Sequence, residues 1–261
     1  MALSTIGRNQ LNTGIADNSD ATAITIDSSE RIGIGVTPER QLHVEGSGAE
    51  ISLVDTQRTS NSRTANMFID SSNRANLRMM NDAMDSAAVG VQFDSSGRVT
   101  MPNQPSFQAK SNLTNLTLSN YAGATYHLNI FNNEFFDIGN NFNTTNSTFT
   151  APVAGRYYVY TQLQLSSSPT TTDHSWGVNL HFQVNGSGNH ANGYVSLSTG
   201  QGGGSTTLFG SYGLLVKENI LNLSVNDTVR VALTGNANIN AGGIETNTND
   251  GRCRFGGHLL S

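Results

Sequence analysis

Histidine, cysteine and carboxylate side chains are the groups in this sequence that could bind a metal ion or transfer protons. No two of the six histidines stand at the i, i+2 or i+4 spacing that places two metal ligands side by side. The one cysteine, Cys253, excludes an intramolecular disulfide and a cysteine-cluster zinc site. The sequence therefore predicts no cofactor and no metal site. A metal cluster would have to assemble between distant loops or across subunits, as on the axis of a trimer.

Catalysis requires a nucleophile, a base and an orienting acid, or paired carboxylates along a carbohydrate groove. The chain contains serine, histidine and acidic residues, but no recognised catalytic motif combines them. Gly33 and Gly35 are followed by neither a helix nor a phosphate-binding lysine, which favours a turn over a nucleotide site. We therefore predict that the protein is not an enzyme.

Polar recognition is chemistry that the sequence does offer. The single tryptophan follows a polar stretch that contains a histidine, and a nearby loop, 185–192, is rich in amide groups. Tryptophan is favoured in binding hot spots, and loops on a rigid scaffold concentrate binding residues. We expect a receptor-binding surface suited to a carbohydrate-like ligand, built from His174, Trp176, Asn185, His190 and Asn192. The alternative is that Trp176 caps the core at the start of its strand.

Composition indicates that these residues are positioned by β-strands. Only 13% of the 261 residues are charged and 27 are glycines, which excludes a coiled coil or helical bundle. The net charge of −5 provides no electrostatic footprint for nucleic acid. No apolar stretch approaches the roughly 18 residues of a membrane helix, and the first residues lack a signal-peptide core. We expect neither nucleic-acid binding nor membrane insertion.

A repeated segment predicts how the first part of the chain is built. Ile26–Arg31, Ile69–Arg74 and Phe93–Arg98 share the pattern apolar-Asp-Ser-Ser-x-Arg. Asp and Ser side chains bond to the backbone two residues on, so each segment is expected to end one strand and open the next. Strands this short cannot bury enough surface alone, which favours a shaft of three intertwined or stacked chains. The alternative is a small irregular β domain.

The second part of the chain is typical of a sandwich or jelly roll. The prolines of Met101–Pro105 predict a boundary, after which strand-like runs alternate with loops of turn-forming residues. We predict a virion attachment segment at 1–20, a β-rich shaft at 21–104 and a jelly-roll head at 105–261. The predicted strands of the head include Tyr157–Leu165, Gly177–Val184, Tyr194–Leu197, Thr206–Val216, Thr228–Leu233 and Arg254–Leu260.

Alternation along the first of these strands separates a core face from an outer face. The period-2 rule places Tyr157, Val159, Leu163 and Leu165 together, facing the core. Tyr158 and Tyr160 then point outward, where a neighbouring subunit explains two tyrosines better than solvent does. With His258 of the last strand, they are the predicted trimer interface.

Phenylalanine, aspartate, glycine and tyrosine residues of the head match a family signature. Within 131–142 and 149–157, the matching residues are Phe131, Asp137, Phe142, Phe149, Gly155 and Tyr157. This pattern resembles the complement-component-1q globular-head family, which shares its trimeric jelly roll with the tumour necrosis factor superfamily. Val159 and Thr161 stand where that family has aromatic residues. The resemblance covers about residues 107–261 and implies an antiparallel, homotrimeric jelly roll.

The segment Glu30–Val44 is similar to the IGIGTxxPxxxLxV segment of bacteriophage tail-fibre and related virion proteins. Together, the two resemblances imply an all-β virion structural protein, a homotrimeric fibre exposed on tail or capsid. Its N-terminus is expected to bind other virion proteins, and its head a host-surface carbohydrate or protein. The alternatives are a capsid-surface fibre or decoration protein, or a bacterial cell-surface or spore-coat lectin-like trimer.

Overall fold

The structure is a computed structural model in which two compact units are built from β-strands. It describes residues 24–57, 64–112, 116–117, 125–165, 177–186, 195–198, 213–235, 243–244 and 252–261. The chain divides into an N-terminal unit, Met1–Pro102, and a head, Asn103–Ser261. No helix occurs in these ranges, and hence none that is long and apolar enough to cross a membrane.

The described N-terminal unit contains two separate sheets. The three-stranded sheet has the order β1-β2-β3, in which β1 and β2 are antiparallel and β2 and β3 are parallel. The five-stranded sheet is an antiparallel meander in the order β4-β5-β6-β7-β8. The strands are β1 (Ile24–Ile26), β2 (Ile32–Ile34), β3 (Leu42–Val44), β4 (Glu50–Val54), β5 (Thr64–Ile69), β6 (Ala75–Met80), β7 (Ala87–Phe93) and β8 (Val99–Thr100).

The three repeated segments form the same hairpin turn. In the first, the Asp27 carboxylate accepts hydrogen bonds from the backbone N–H groups of Ser29 and Arg31, and the Arg31 Nε donates to it at 2.7 Å. The same three bonds recur in 70–74 and 94–98, where the arginine Nε donates at 2.8 and 2.6 Å. These turns join β1 to β2, β5 to β6 and β7 to β8, which confirms the turn expected from the repeat.

The fourth residue of each turn has a left-handed backbone conformation. Its φ is 60° at Glu30, 58° at Asn73 and 78° at Gly97. A three-residue hairpin loop needs such a residue after its type I turn, and glycine or asparagine adopts it more readily than glutamate. The Glu30 turn is therefore the most strained of the three, and the ion pair between Asp27 and Arg31 helps to hold it.

Two glycines between β1 and β3 are required by close backbone approach. Gly35 has a φ of +75°, and a side chain there would collide with the backbone carbonyl of Glu45. A side chain on Gly33 would collide with the carbonyl of Val36. Because only residues 35–41 connect the parallel strands β2 and β3, the backbone must fold back tightly on itself. The glycines serve this turn, as the sequence predicted.

The described part of the N-terminal unit has almost no apolar core. Met80 is its one buried large hydrophobic side chain. The buried polar residues there are Thr64, Asn66 and Asn76, whereas most of the aliphatic residues are exposed. The described part of this unit therefore buries amides and exposes isoleucines and leucines, the reverse of the usual distribution.

The head is a sandwich of two antiparallel sheets. One sheet has the order β10-β20-β15-β21-β9-β12, and β18 pairs with the other edge of β15. The second has the order β13-β14-β19-β16-β17, and β11 also pairs with β19. The strands are β9 (Ser106–Ser111), β10 (Leu116–Thr117), β11 (Thr125–His127), β12 (Phe131–Ile138), β13 (Phe142–Asn143), β14 (Thr148–Thr150), β15 (Gly155–Leu165), β16 (Gly177–Val184), β17 (Val195–Ser198), β18 (Gly213–Leu223), β19 (Thr228–Gly235), β20 (Gly243–Ile244) and β21 (Arg254–Leu259).

An aromatic cluster joins the two sheets of the head. The Phe107 ring stacks on the rings of Phe142 and Phe149, with centroid distances of 4.9 and 4.6 Å. Phe255 meets Phe107 edge-on at 5.0 Å. Truncating one such buried ring to alanine typically costs about 3–5 kcal/mol. This cluster is the centre of the head's core.

Signature residues of the head have structural positions. Phe131, Phe142 and Phe149 are buried in the core, and the Asp137 carboxylate accepts the N–H of Phe142 at 2.8 Å to close a turn. The buried Tyr157 hydroxyl donates to the carbonyl of Val153 at 2.8 Å. The signature therefore specifies the jelly roll and does not mark a binding site.

The strand predictions for the head are right in alternation and partly wrong in extent. Tyr157, Val159 and Leu163 are buried as predicted; the side chain of Leu165 lies outside the described residues. The strand predicted at 206–216 instead runs over Gly213–Leu223, and 206–212 lie outside the described residues. Its second half was missed because Lys217, Glu218 and Asn219 interrupt the apolar alternation there, whereas the pairing with β15 continues to the end of the strand.

Acid is expected to loosen the repeated turns. Partial desolvation acts to raise the pKa of Asp70, but hydrogen bonds from Arg74, Asn76 and Ser72 outweigh it and lower that pKa from 3.8 to about 2. A lowered pKa means that the stabilisation is present above pH 3.8 and is lost as the pH falls through about 2.

Thermal unfolding of the full chain between pH 6 and pH 2 measures this effect against an Asp70→Asn control. The control keeps a side-chain oxygen for the backbone N–H groups but has no titrating charge. The melting temperature of the variant should therefore fall less between pH 6 and pH 2 than that of the unchanged protein. Equal decreases in melting temperature for the two proteins would contradict a stabilising role of the ionised Asp70 carboxylate.

Candidate functional site

The outer face of the larger head sheet brings together the three residues predicted at a subunit contact. Tyr158 and Tyr160 lie on β15, and His258 on β21 is directly opposite Tyr158 in the ladder. The ring centroids of Tyr158 are 5.9 Å from Tyr160 and 5.5 Å from His258. We call these three residues the tyrosine cluster. Its role between subunits stays a prediction.

Both tyrosine hydroxyls of the cluster are hydrogen-bonded within their own chain. The Tyr158 hydroxyl donates to the Glu218 carboxylate at 2.6 Å, and Gln108 Nε2 donates to the Tyr160 hydroxyl at 2.6 Å. Both side chains are half-buried. The expectation that they point freely outward is thus corrected in part, because neighbouring strands already cover them.

The surroundings of the cluster keep both tyrosines protonated. The hydrogen bond to Glu218 raises the pKa of Tyr158 most, and burial raises it further. Burial raises the pKa of Tyr160, against the smaller opposing effect of the hydrogen bond from Gln108. At neutral pH the cluster therefore presents neutral phenols, which can be buried against an apolar partner at less cost than charged groups.

Gly256 makes room for the Tyr160 ring. A Cβ at Gly256, which faces Tyr160 across the ladder, would lie 2.6 Å from that ring. Gly256, Glu218 and Gln108 were not predicted from the sequence to contact the tyrosine cluster. Adjacent glycines inside a strand, as in Gly256-Gly257, are a signal of close approach that could have found the first.

Apolar side chains flank the tyrosine cluster on both sides. On β18, exposed aliphatic residues alternate with buried leucines, and Ile220 is directly opposite Tyr158. On β12, Phe135 is exposed, and the cations of Lys110 and Arg254 lie 5.0 and 5.8 Å from its ring centroid. The other exposed large apolar residues of these strands are Leu214, Val216, Phe136 and Ile138. A surface with this composition is suited to burial against another protein surface.

Most of the predicted receptor-binding residues cannot be placed. His174, Trp176, His190 and Asn192 lie outside the described residues. Asn185 is described, and its side chain is engaged within the chain: Nδ2 donates to Asp227 at 2.8 Å and Oδ1 accepts the N–H of Thr228 at 2.9 Å. The hydrogen bond from Asn185 is the main cause that lowers the pKa of Asp227. The receptor-binding role of all five residues stays a prediction.

The described histidines are spread over both units. His43 lies 3.7 Å from Glu45, and burial together with the charge of Arg230 lowers the pKa of His127. Within the described ranges, no group of three His, Cys, Asp or Glu residues could hold a metal ion. A metal ion shared between subunits is not tested by a single chain.

Comparison with known proteins supports the jelly-roll fold of the head. Residues 133–248 match the model of the TNF (Tumour Necrosis Factor) family, a match that covers less than half of the chain. The globular domain of the zebrafish complement 1qA protein is a similar solved structure, 18% identical; the alignment covers 60% of this chain and 98% of that chain, with a TM-score of 0.37. No curated protein matches the chain.

The family-model match and the two antiparallel sheets agree on the fold. The head is a TNF-like jelly roll, which confirms the predicted all-β, antiparallel class. At its low TM-score, the complement structure adds no argument to this assignment. Neither comparison indicates a catalytic family.

The tyrosine cluster can be tested at the predicted subunit contact. The double change Tyr158→Ser, Tyr160→Ser should weaken self-association, since truncating an aromatic hot-spot residue typically costs about 2 kcal/mol or more. Sedimentation velocity over a concentration series measures the shift toward monomer. Val225→Ser, which removes an exposed aliphatic side chain from the turn between β18 and β19, is the control. If both variants associate equally well, the tyrosine cluster does not lie at the subunit interface.

Proposed function

We propose that this protein is a homotrimeric viral fibre with an N-terminal shaft and a C-terminal head that adheres to the host surface. The observation that carries the proposal is the contrast between the two units. The head has a closed aromatic core, whereas the described N-terminal unit exposes its aliphatic residues. A unit of that kind needs other chains around it, as the shaft of a fibre has.

The head supports the trimeric part of the proposal. Its larger sheet carries the tyrosine cluster with exposed aliphatic residues beside it. The signature that resembles the complement-component-1q family implies a trimer of jelly rolls, and residues 133–248 match the TNF family model. We infer that this outer face is buried between subunits and that the loops of the head face the host.

The N-terminus is proposed to attach the fibre to the virion. Residues 1–20 lie outside the described residues, and their low apolar content favours ordering only on a partner protein. Deletion of 1–20 should leave the trimer mass unchanged and abolish incorporation into particles, as measured by immunoblot of purified virions. Normal incorporation of the deleted protein would refute this attachment.

Adhesion is proposed to depend on Trp176. Trp176→Ala should lower adsorption to host cells about tenfold or more, because hot-spot truncations typically cost about 2 kcal/mol or more. Its trimer mass and melting temperature should stay near those of the unchanged protein. If the variant instead loses much of its thermal stability, and each folded trimer adsorbs as well as before, then Trp176 caps the core.

Location separates the proposed fibre from the alternative functions. Gold-labelled protein imaged on intact particles should mark projecting fibres on the tail or capsid. Label spread evenly over the capsid surface would favour a decoration protein. Label found on bacterial cell walls, with none on particles, would favour a cell-surface lectin and overturn the viral assignment.

A further inference from the structure

One face of the five-stranded sheet is closed by hydrogen bonds among its own side chains. Arg78 donates to Glu50 and to Asn66, both at 2.9 Å, and Asn66 donates to Ser52 at 2.8 Å. Beside this chain of bonds, Gln92 donates to Asn76 at 2.7 Å. We call this the hydrogen-bonded face. Thr64, Asn66 and Asn76 on this face are already buried in the single chain, so it needs no partner chain to cover it.

The opposite face is apolar across all five strands. The ladder places Ile51, Met67, Leu77 and Val91 in one row across β4 to β7. Side chains of directly paired residues share a face. The apolar face comprises Ile51, Leu53, Ala65, Met67, Ile69, Ala75, Leu77, Met79, Ala88, Val91, Phe93 and Val99, and it contains no charged or hydrogen-bonding side chain.

The apolar face is uncovered in the single chain. The exposed fraction of Leu53 is 69%, and that of its neighbour Val54 is 47%. Val54 lies on the hydrogen-bonded face, opposite Thr64. The small sheet repeats this arrangement: β1, β2 and β3 place their isoleucines, a leucine and a valine on one face. Both sheets of the unit therefore present one uncovered apolar face.

We propose that the apolar face of β4–β8 is buried against the same face of two further copies of this chain. Three sheets then form a three-sided shaft, with the apolar faces inside and the hydrogen-bonded faces outside. The inference rests on the trimer of the proposed function and assigns its contact surface in the shaft.

The chemistry of the face selects a copy of this chain as the occupant. A face without charges or hydrogen-bonding groups offers nothing to orient a polar partner, and its best complement is another apolar surface of the same dimensions. Four strands of five to seven residues and the two-residue β8, about 4.8 Å apart, give a face of roughly 20 by 20 Å. Its roughly 400 Å² is below the ~800 Å² per partner of a stable isolated pair, so support from the head is needed. Since each shaft is covalently joined to a head, a trimer of heads would raise the local concentration of the three faces.

Thiol reactivity in the full-length protein tests which face is covered. Leu53→Cys and Val54→Cys are a matched pair, because the two aliphatic residues are adjacent on β4 and face opposite sides. In a single chain, the Leu53→Cys thiol would react at least as fast as the Val54→Cys thiol, because position 53 is more exposed than position 54. Buried in the proposed trimer, it should react with a maleimide at least tenfold more slowly than the Val54→Cys thiol. The buried Cys253 of the unchanged protein supplies the background rate.

The mass of the same samples, measured by sedimentation, separates the possible failures. A trimer in which the Leu53→Cys thiol reacts as fast as the Val54→Cys thiol overturns this inference and leaves the proposed trimer intact. A monomeric or dimeric mass overturns the trimer of the proposed function and the three-sided shaft with it. If Leu53→Cys does not assemble, Leu77→Cys at the centre of the face takes its place, with the same expectation against Val54→Cys.

Discussion

Apolar side chains without a partner in their own chain impose the main constraint on this protein. A single-layered sheet has two faces, and each face must either be solvated or be covered. The N-terminal unit satisfies one face of its larger sheet through side-chain hydrogen bonds, as between Arg78 and Asn66 at 2.9 Å. The other face, with Leu77 at its centre, has only solvent against it in one chain. The stability of this unit is therefore expected to depend on assembly.

The head meets the same requirement within one chain. Its two sheets stack face to face, and the rings of Phe107, Phe149 and Phe255 fill the space between them. Because this core is closed, the outer face of the larger sheet is free to serve association rather than folding. The hydroxyls of Tyr158 and Tyr160 are already bonded to Glu218 and Gln108, so a subunit contact there would bury phenols that have partners within their own chain. The head thus buries its apolar core within one chain, whereas the described part of the N-terminal unit does not.

The repeated turns explain how the thin sheets keep their register. Each turn ties an aspartate to the arginine four residues later, through both the backbone and the guanidinium group. A one-residue slip would move every apolar side chain to the hydrogen-bonded face. A turn of fixed length therefore maintains the separation of the two faces, although the described part of this unit has almost no apolar core to enforce it.

Local interactions made part of this structure predictable from the sequence. The Asp-Ser-Ser-x-Arg turns depend on bonds within five residues, and the burial of Tyr157 and Val159 follows from alternation along one strand. The signature residues likewise indicated the jelly roll.

Contacts between distant segments decided the rest. The extension of β18 to Leu223 depends on pairing with β15, and the space at Gly256 depends on the ring of Tyr160, 96 positions earlier in the sequence. The amide of Asn185, predicted to meet a receptor, is held by Asp227 on a separate turn. The sequence thus determined which residues alternate, turn and carry apolar surface. Only the tertiary structure decided which strands pair and which polar groups are already engaged, because these depend on the distances between segments that folding brings together.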